Sequence, residues 1–108
     1  MGPWSSAGGA RVVATTVVHR GDVTVIAYDC AAGPADRPYP ECHDQHSISY
    51  VCAGSFGYRV RDRHYEMVPG AILAGRAADE YLCTHDHHHG GDRCLSIQFS
   101  SAFMEETF

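Results

Sequence analysis

Short runs of alternating apolar and polar residues, broken by Gly, Pro and Asp, occupy most of this chain. Val and Thr dominate from Arg11 to Arg20, Gly21-Asp22 interrupts, and DVTVIAYDC carries the chain from Asp22 to Cys30. In that second run Val23, Val25, Ala27 and Asp29 share one face while Thr24, Ile26, Tyr28 and Cys30 share the other, because side chains of an extended chain alternate. Two such runs around a Gly-Asp pair predict a hairpin or adjacent strands. Residues 31 to 40 (AAGPADRPYP) hold three prolines and a glycine and read as a loop.

The alternation resumes from His46 to Ala53, with Ile48, Tyr50 and Cys52 against Ser47, Ser49 and Val51. Phe56 to Arg61 and His64 to Val68 read as the arms of a hairpin around Asp62, and Ala71 to Gly75 as a short strand after a Pro69-Gly70 turn. Glu80 to Asp86 and Arg93 to Ser100 read as two strands joined through His87, His88, His89, Gly90, Gly91 and Asp92. Only Ser101 to Phe108 has helical character, with Ser101 as the expected N-cap. About eight short strands with Gly/Pro turns predict an all-β sandwich or small barrel, and the lack of strand–helix alternation excludes a parallel α/β sheet. The expected organisation is a tail over 1–10, one β domain over 11–100, and the start of a C-terminal helix or linker over 101–108.

Composition narrows the function classes. A chain of 108 residues, 44% hydrophobic and 19% charged, supports one globular domain. Its formal charge is -5, and all its basic residues are arginines scattered along the chain. Arg59, Arg61 and Arg63 form the only local group and read as a solvated strand edge, so the chain alone is not a DNA-binding module. No apolar stretch approaches the roughly 20 residues of a membrane span. Met1 to Ala10 has neither a basic start nor an apolar run, so no secretory signal is read there. An odd count of five cysteines without an export signal points to reduced thiols and a cytoplasmic setting.

Two clusters could carry chemistry. In an extended chain Cys83, His85 and His87 share one strand face, and a hairpin turning near Gly90-Gly91 puts Cys94 roughly opposite His87. Thiolate and imidazole together suit Zn²⁺, the one cofactor this pattern suggests. The plainer reading, which the burial habits of cysteine favour, packs Cys83 and Cys94 as small apolar residues and leaves the histidines in a solvated turn. The second cluster follows the proline loop, where Glu41 and His43 point the same way and can orient a small ligand or hold a divalent ion. No nucleophilic triad signature and no phosphate-cradling glycine loop is present.

Several runs also carry a family resemblance: Glu41-x-His43, then HSISYVCAGSFGYR from His46 to Arg59, VPGAIL from Val68 to Leu73, DEYLCTH from Asp79 to His85, and GDRCLS from Gly91 to Ser96. Through them the chain, from about Val12 to Phe103, resembles the N-terminal cupin domain of AraC-type transcriptional regulators. The resemblance implies a cupin-type double-stranded β-barrel, jelly-roll-like, that senses a small-molecule effector, forms a homodimer, or does both. In that family a separate helix-turn-helix region contacts DNA, and no such region is present in this sequence. Metal-binding cupins place two histidines and a glutamate in a first motif and a histidine in a second. Those positions fall here on Glu41, His43, Ser47 and Tyr81. A serine and a tyrosine do not complete a site for Fe²⁺ or Mn²⁺, so the expectation is not an enzyme but a pocket contacted by Glu41, His43 and inward-facing Tyr28, Tyr50, Tyr58 and Tyr81. The alternatives are a zinc-binding cupin using Cys83, His85, His87 and Cys94, and a small metal-dependent cupin enzyme using His43.

Overall fold

The computed structural model describes residues 12–33, 35, 37–38, 40–85 and 91–107. The expected tail over 1–10 and His87, His88 and His89 lie outside the described residues. In chain order the elements are β1 Val12–Arg20, β2 Val23–Cys30, β3 Glu41–Cys42, β4 His46–Ala53, β5 Phe56–Val60, β6 Arg63–Met67, β7 Ile72–Gly75, β8 Glu80–Thr84, β9 Asp92–Phe99 and α1 Ser101–Thr107. The alternating runs became strands within a residue or two of their expected ends. Strand β3 was not anticipated, because two residues leave no period to read.

The strands form two antiparallel sheets, ordered β1-β2-β9-β4-β7 and β3-β8-β5-β6. The sheets pack face to face as a jelly roll. Among the described residues no hydrogen-bonded strand pair joins one sheet to the other, so the barrel is closed by side-chain packing and not by a continuous ladder. The β1–β2 hairpin turns at Gly21-Asp22, where Gly21 has φ +57.

The four-stranded sheet supplies most of the large apolar core: Phe56, Tyr58, Met67 and Tyr81, which meet Leu73, Val51 and Tyr28 from the other sheet. Strands β9 and β4 of the five-stranded sheet are more polar on their inward faces. On β9 the buried residues are Asp92, Cys94, Ser96 and Gln98, while Leu95 and Ile97 face outward. On β4, Ser47, Ser49 and Val51 face inward, and Ile48 and Tyr50, each 47% exposed, face outward. The inward placement expected for Tyr50 is therefore corrected. Registration is fixed by the polar face: Ser49 lies opposite Ser96 and donates to its hydroxyl at 3.0 Å, and Gln98 donates to Tyr28 at 3.1 Å. A one-residue slip would turn every one of these groups out and strand its partner.

Helix α1 starts at Ser101, but its cap is not the one expected. Ser100, not Ser101, caps it, its hydroxyl accepting from Phe103 N–H at 3.1 Å and donating to Asp22 at 2.6 Å. The Phe103 ring stacks on Phe99 with centroids 5.6 Å apart, holding α1 against the end of β9. At the other end Gly54, with φ +74, abuts the chain that enters β9: a Cβ there would lie 2.1 Å from Gly91 O and 2.7 Å from Asp92 Cα.

Two glycines separate conformational cost from contact. Gly21→Ala, where a Cβ meets nothing within 4 Å, is expected to lose about 1 kcal/mol for its left-handed backbone. Gly54→Ala adds a backbone collision and is expected to lose about 3 kcal/mol. Urea denaturation of both variants checks this, and equal losses would contradict the packing described.

Candidate functional site

Strand β3 and the residue after it are clamped to the turn before β8. Glu41 pairs with Tyr81, the His43 N–H donates to Asp79 O at 3.0 Å, and the Ala78 N–H donates to His43 O at 2.8 Å. This brings the His43 ring into the interior, 2% exposed, where it stacks on Tyr81 with centroids 4.2 Å apart. His43 Nε2 shares a 2.8 Å hydrogen bond with the Tyr58 hydroxyl, which β5 delivers from beside β8. Gly75 makes the arrangement possible, because a Cβ at that position would lie 2.7 Å from both His43 Cε1 and Ser47 Oγ. Glu41, His43, Ser47, Tyr58 and Tyr81 thus form one polar group inside the apolar core.

Burial sets the protonation of this group. It pushes the Glu41 carboxyl up to about 8 and the His43 imidazole down to about 4, Asp79 partly opposing the latter. The Tyr81 hydroxyl beside Glu41 tempers the carboxyl's rise, yet neither it nor Glu41 Oε1 gains a well-formed hydrogen bond. Burial also raises Tyr58 and Tyr81 far above the ordinary phenol range. Near neutral pH the group is therefore uncharged, and His43 Nδ1 and Ser47 Oγ are buried without a hydrogen-bond partner.

The residues at the four cupin metal positions do converge, but they do not fit Fe²⁺ or Mn²⁺. The Tyr58 hydroxyl occupies His43 Nε2, the Tyr81 ring covers the imidazole face, and Tyr81 stays protonated. Serine and phenol oxygens held neutral are poor ligands for such ions.

A cleft of about 580 Å³ opens beside this group. It runs from buried Ser47 and Tyr58 past Val60 and Phe99 to Phe103 and Met104 of α1, and Arg61, Arg76 and Asp79 stand at its rim. Arg61 pairs with Asp79 at 2.6 Å. Two guanidiniums against one carboxylate give the rim a positive excess on a chain of formal charge -5.

The other expected residues are placed differently. Tyr28 is buried but bonded to Gln98, and Tyr50 faces solvent. Cys83, His85 and Cys94 all point inward. The expected hairpin between their strands does not form, because β8 and β9 belong to different sheets and Cys94 lies opposite Tyr28 and Val51. His87 lies outside the described residues. The structure instead gathers His85 with Cys30 and Asp92. Sequence reading missed Cys30, Asp92, Arg61 and Arg76 because each is brought to its site by pairing between distant segments.

No protein-family model matches this sequence, and no curated protein matches it in sequence. The fold is shared with solved structures. A cupin superfamily protein from Desulfitobacterium hafniense aligns over 90% of this chain and 84% of its own, at 15% identity and TM-score 0.67. The cupin domain of Schizosaccharomyces pombe Cnp3 aligns over 89% and 69%, at 8% identity and TM-score 0.70. Hydroxypropylphosphonic acid epoxidase from S. wedmorenis aligns over 83% of this chain but 51% of its own, at 13% identity and TM-score 0.72. The chain has the cupin fold. That fold hosts an epoxidase as well as proteins whose names carry no activity, so the fold alone does not fix a function. Among the described residues no helix is long and apolar enough to cross a membrane.

The two shifted groups oppose each other with pH. The folded state favours neutral Glu41, a contribution complete below its ordinary 4.5 and lost as pH rises through about 8. It favours neutral His43, a contribution complete above 6.5 and lost as pH falls through about 4. Glu41→Gln is therefore expected to gain stability over the wild type as pH rises from 4.5 to 8. Parallel stability curves for the two proteins would contradict this.

Proposed function

We propose that this domain senses a small organic acid in the cleft beside Ser47 and Tyr58, and that it self-associates, in the manner of the sensory cupin domains of AraC-type regulators that its sequence resembles. The observation that carries this reading is the make-up of the cleft: buried hydroxyls at one end, apolar Val60, Phe99, Phe103 and Met104 along it, and Arg61 and Arg76 at the rim. Mostly apolar walls with a few converging polar groups are the usual form of a small-molecule site. Guanidiniums are suited to binding a carboxylate or phosphate through paired hydrogen bonds. A guest touching Phe103 and Met104 bears directly on α1, so occupancy would be felt at the helix.

Binding is favoured over turnover. His43 is a weak base at about 4 and already shares its Nε2 with Tyr58, and among the described residues no activated nucleophile faces the cleft. The expected effector class is therefore recognised and released unchanged.

Self-association rests on the outward side of the five-stranded sheet. Ile72, Tyr50 and Leu95 form one cross-strand row, and Ile48 and Ile97 lie in the next. Their exposures run from 37% to 67%. A contiguous apolar patch of this kind marks an interaction surface, and a second copy of the chain is the partner the resemblance implies.

Calorimetric titration with benzoate and benzamide tests the cleft. Benzoate is expected to bind more tightly, and Arg61→Ala or Arg76→Ala to weaken it about tenfold, the loss of one charge-assisted contact. Equal binding of acid and amide, or no effect of either variant, would contradict the reading. Sedimentation tests the second part: a concentration-dependent dimer is expected, converted to monomer by Ile72→Glu with an unchanged circular dichroism spectrum. A wild type that stays monomeric at high concentration would remove it.

A further inference from the structure

We propose that Cys30, His85 and Asp92 form a binding site for a zinc-like divalent cation at the end of the jelly roll opposite the cleft. Cys30 closes β2 and Asp92 opens β9, and the two are cross-strand partners. His85 follows β8 in the facing sheet, so the three side chains meet between the sheets. One thiol sulfur, one imidazole nitrogen and one carboxylate oxygen all lie within 4.8 Å of one another. All three residues are buried. Asp92 and Phe99 stand at opposite ends of β9, roughly 24 Å apart by strand rise, so this site is independent of the cleft and of the function proposed for it.

Asp92 is the observation that points to a ligand. Its side chain is 5% exposed, and both carboxylate oxygens are buried with no hydrogen-bond partner. A carboxylate withdrawn from water without donors is among the costliest groups a small domain can hold. A cation bound at its oxygens supplies the missing positive charge, and the neighbouring thiol and imidazole supply further ligands. Burial and the nearby Asp29 charge both disfavour its anion. The backbone there is held firmly, since Gly54 packs against Gly91 O and Asp92 Cα.

The donor set selects the ion class. Sulfur, nitrogen and oxygen together suit zinc, whose bonds of about 2.0–2.3 Å put tetrahedral ligand atoms roughly 3.5 Å apart. Three protein ligands leave a fourth position open. A recess of about 470 Å³ bordered by Val13, Ala53 and Arg93 lies over the outward side of the sheet at Cys30 and Asp92. Cys83 and Cys94 lie near enough to feel both Cys30 and Asp92, and burial raises both thiols.

The test uses the whole chain, stripped with a chelator and titrated with Zn²⁺ and Co²⁺. One equivalent of Zn²⁺ is expected to raise the melting temperature, and Co²⁺ to produce the near-ultraviolet sulfur-to-cobalt charge-transfer band. That band needs a thiolate, so histidines elsewhere do not mimic it. Cys30→Ser is expected to abolish the band while Cys42→Ser and Cys52→Ser keep it. Asp92→Asn and His85→Ala are expected to keep a band but weaken metal affinity at least tenfold. No band with the folded wild type, a band that survives Cys30→Ser, or undiminished affinity in both Asp92→Asn and His85→Ala would overturn the proposal.

Discussion

Hydroxyls, amides, imidazoles and carboxylates can line a protein interior only where each finds a partner or a guest. That constraint governs this domain, because the two adjacent strands β9 and β4 of its five-stranded sheet turn mostly polar faces inward. Part of the lining is self-sufficient: Ser49 bonds Ser96, and Gln98 bonds Tyr28. Toward the ends it is not. Ser47 Oγ and His43 Nδ1 at one end, and both oxygens of Asp92 at the other, are buried without partners. The satisfied groups fix the register, and the unsatisfied ones mark where binding is proposed.

The same inversion accounts for the outside of the molecule. With Ser47, Ser49, Ser96 and Gln98 turned in, strand alternation obliges Ile48, Tyr50, Leu95 and Ile97 to turn out. The apolar core then depends on the four-stranded sheet, where Phe56, Tyr58, Met67 and Tyr81 supply the bulk that the other sheet lacks. The sheets differ in emphasis: the four-stranded sheet supplies most of the apolar bulk, and β4 and β9 of the other supply a polar lining within and an apolar surface without.

Much of this was legible in the sequence, and the failures have a common cause. Period-two alternation located β4 and β9 closely, and Gly21-Asp22 marked its hairpin. Alternation says that two faces differ but not which one is buried. The habit of burying the apolar face misplaced Tyr50. Glu41 and His43 were readable because they lie two apart in one extended segment, and their meeting with Ser47 and Tyr81 followed the spacing of the cupin motifs. Cys30, His85 and Asp92 are far apart in the chain and belong to different sheets. No local spacing encodes their approach. The local pattern of Cys83, His85 and His87 pointed instead to a β8–β9 hairpin, which the crossing from one sheet to the other rules out.

Thiol labelling of the native protein, read position by position by peptide mass spectrometry, tests the inverted sheet most directly. Cys52 stands on the outward face of β4 and Cys42 is exposed on β3, whereas Cys30, Cys83 and Cys94 are enclosed. Cys42 and Cys52 are expected to react in the folded state, and the other three only as denaturant unfolds the chain. Modification of Cys94 in the native protein, with Cys52 protected in the monomer, would mean that the polar face points outward and would contradict the structure on which both sites rest.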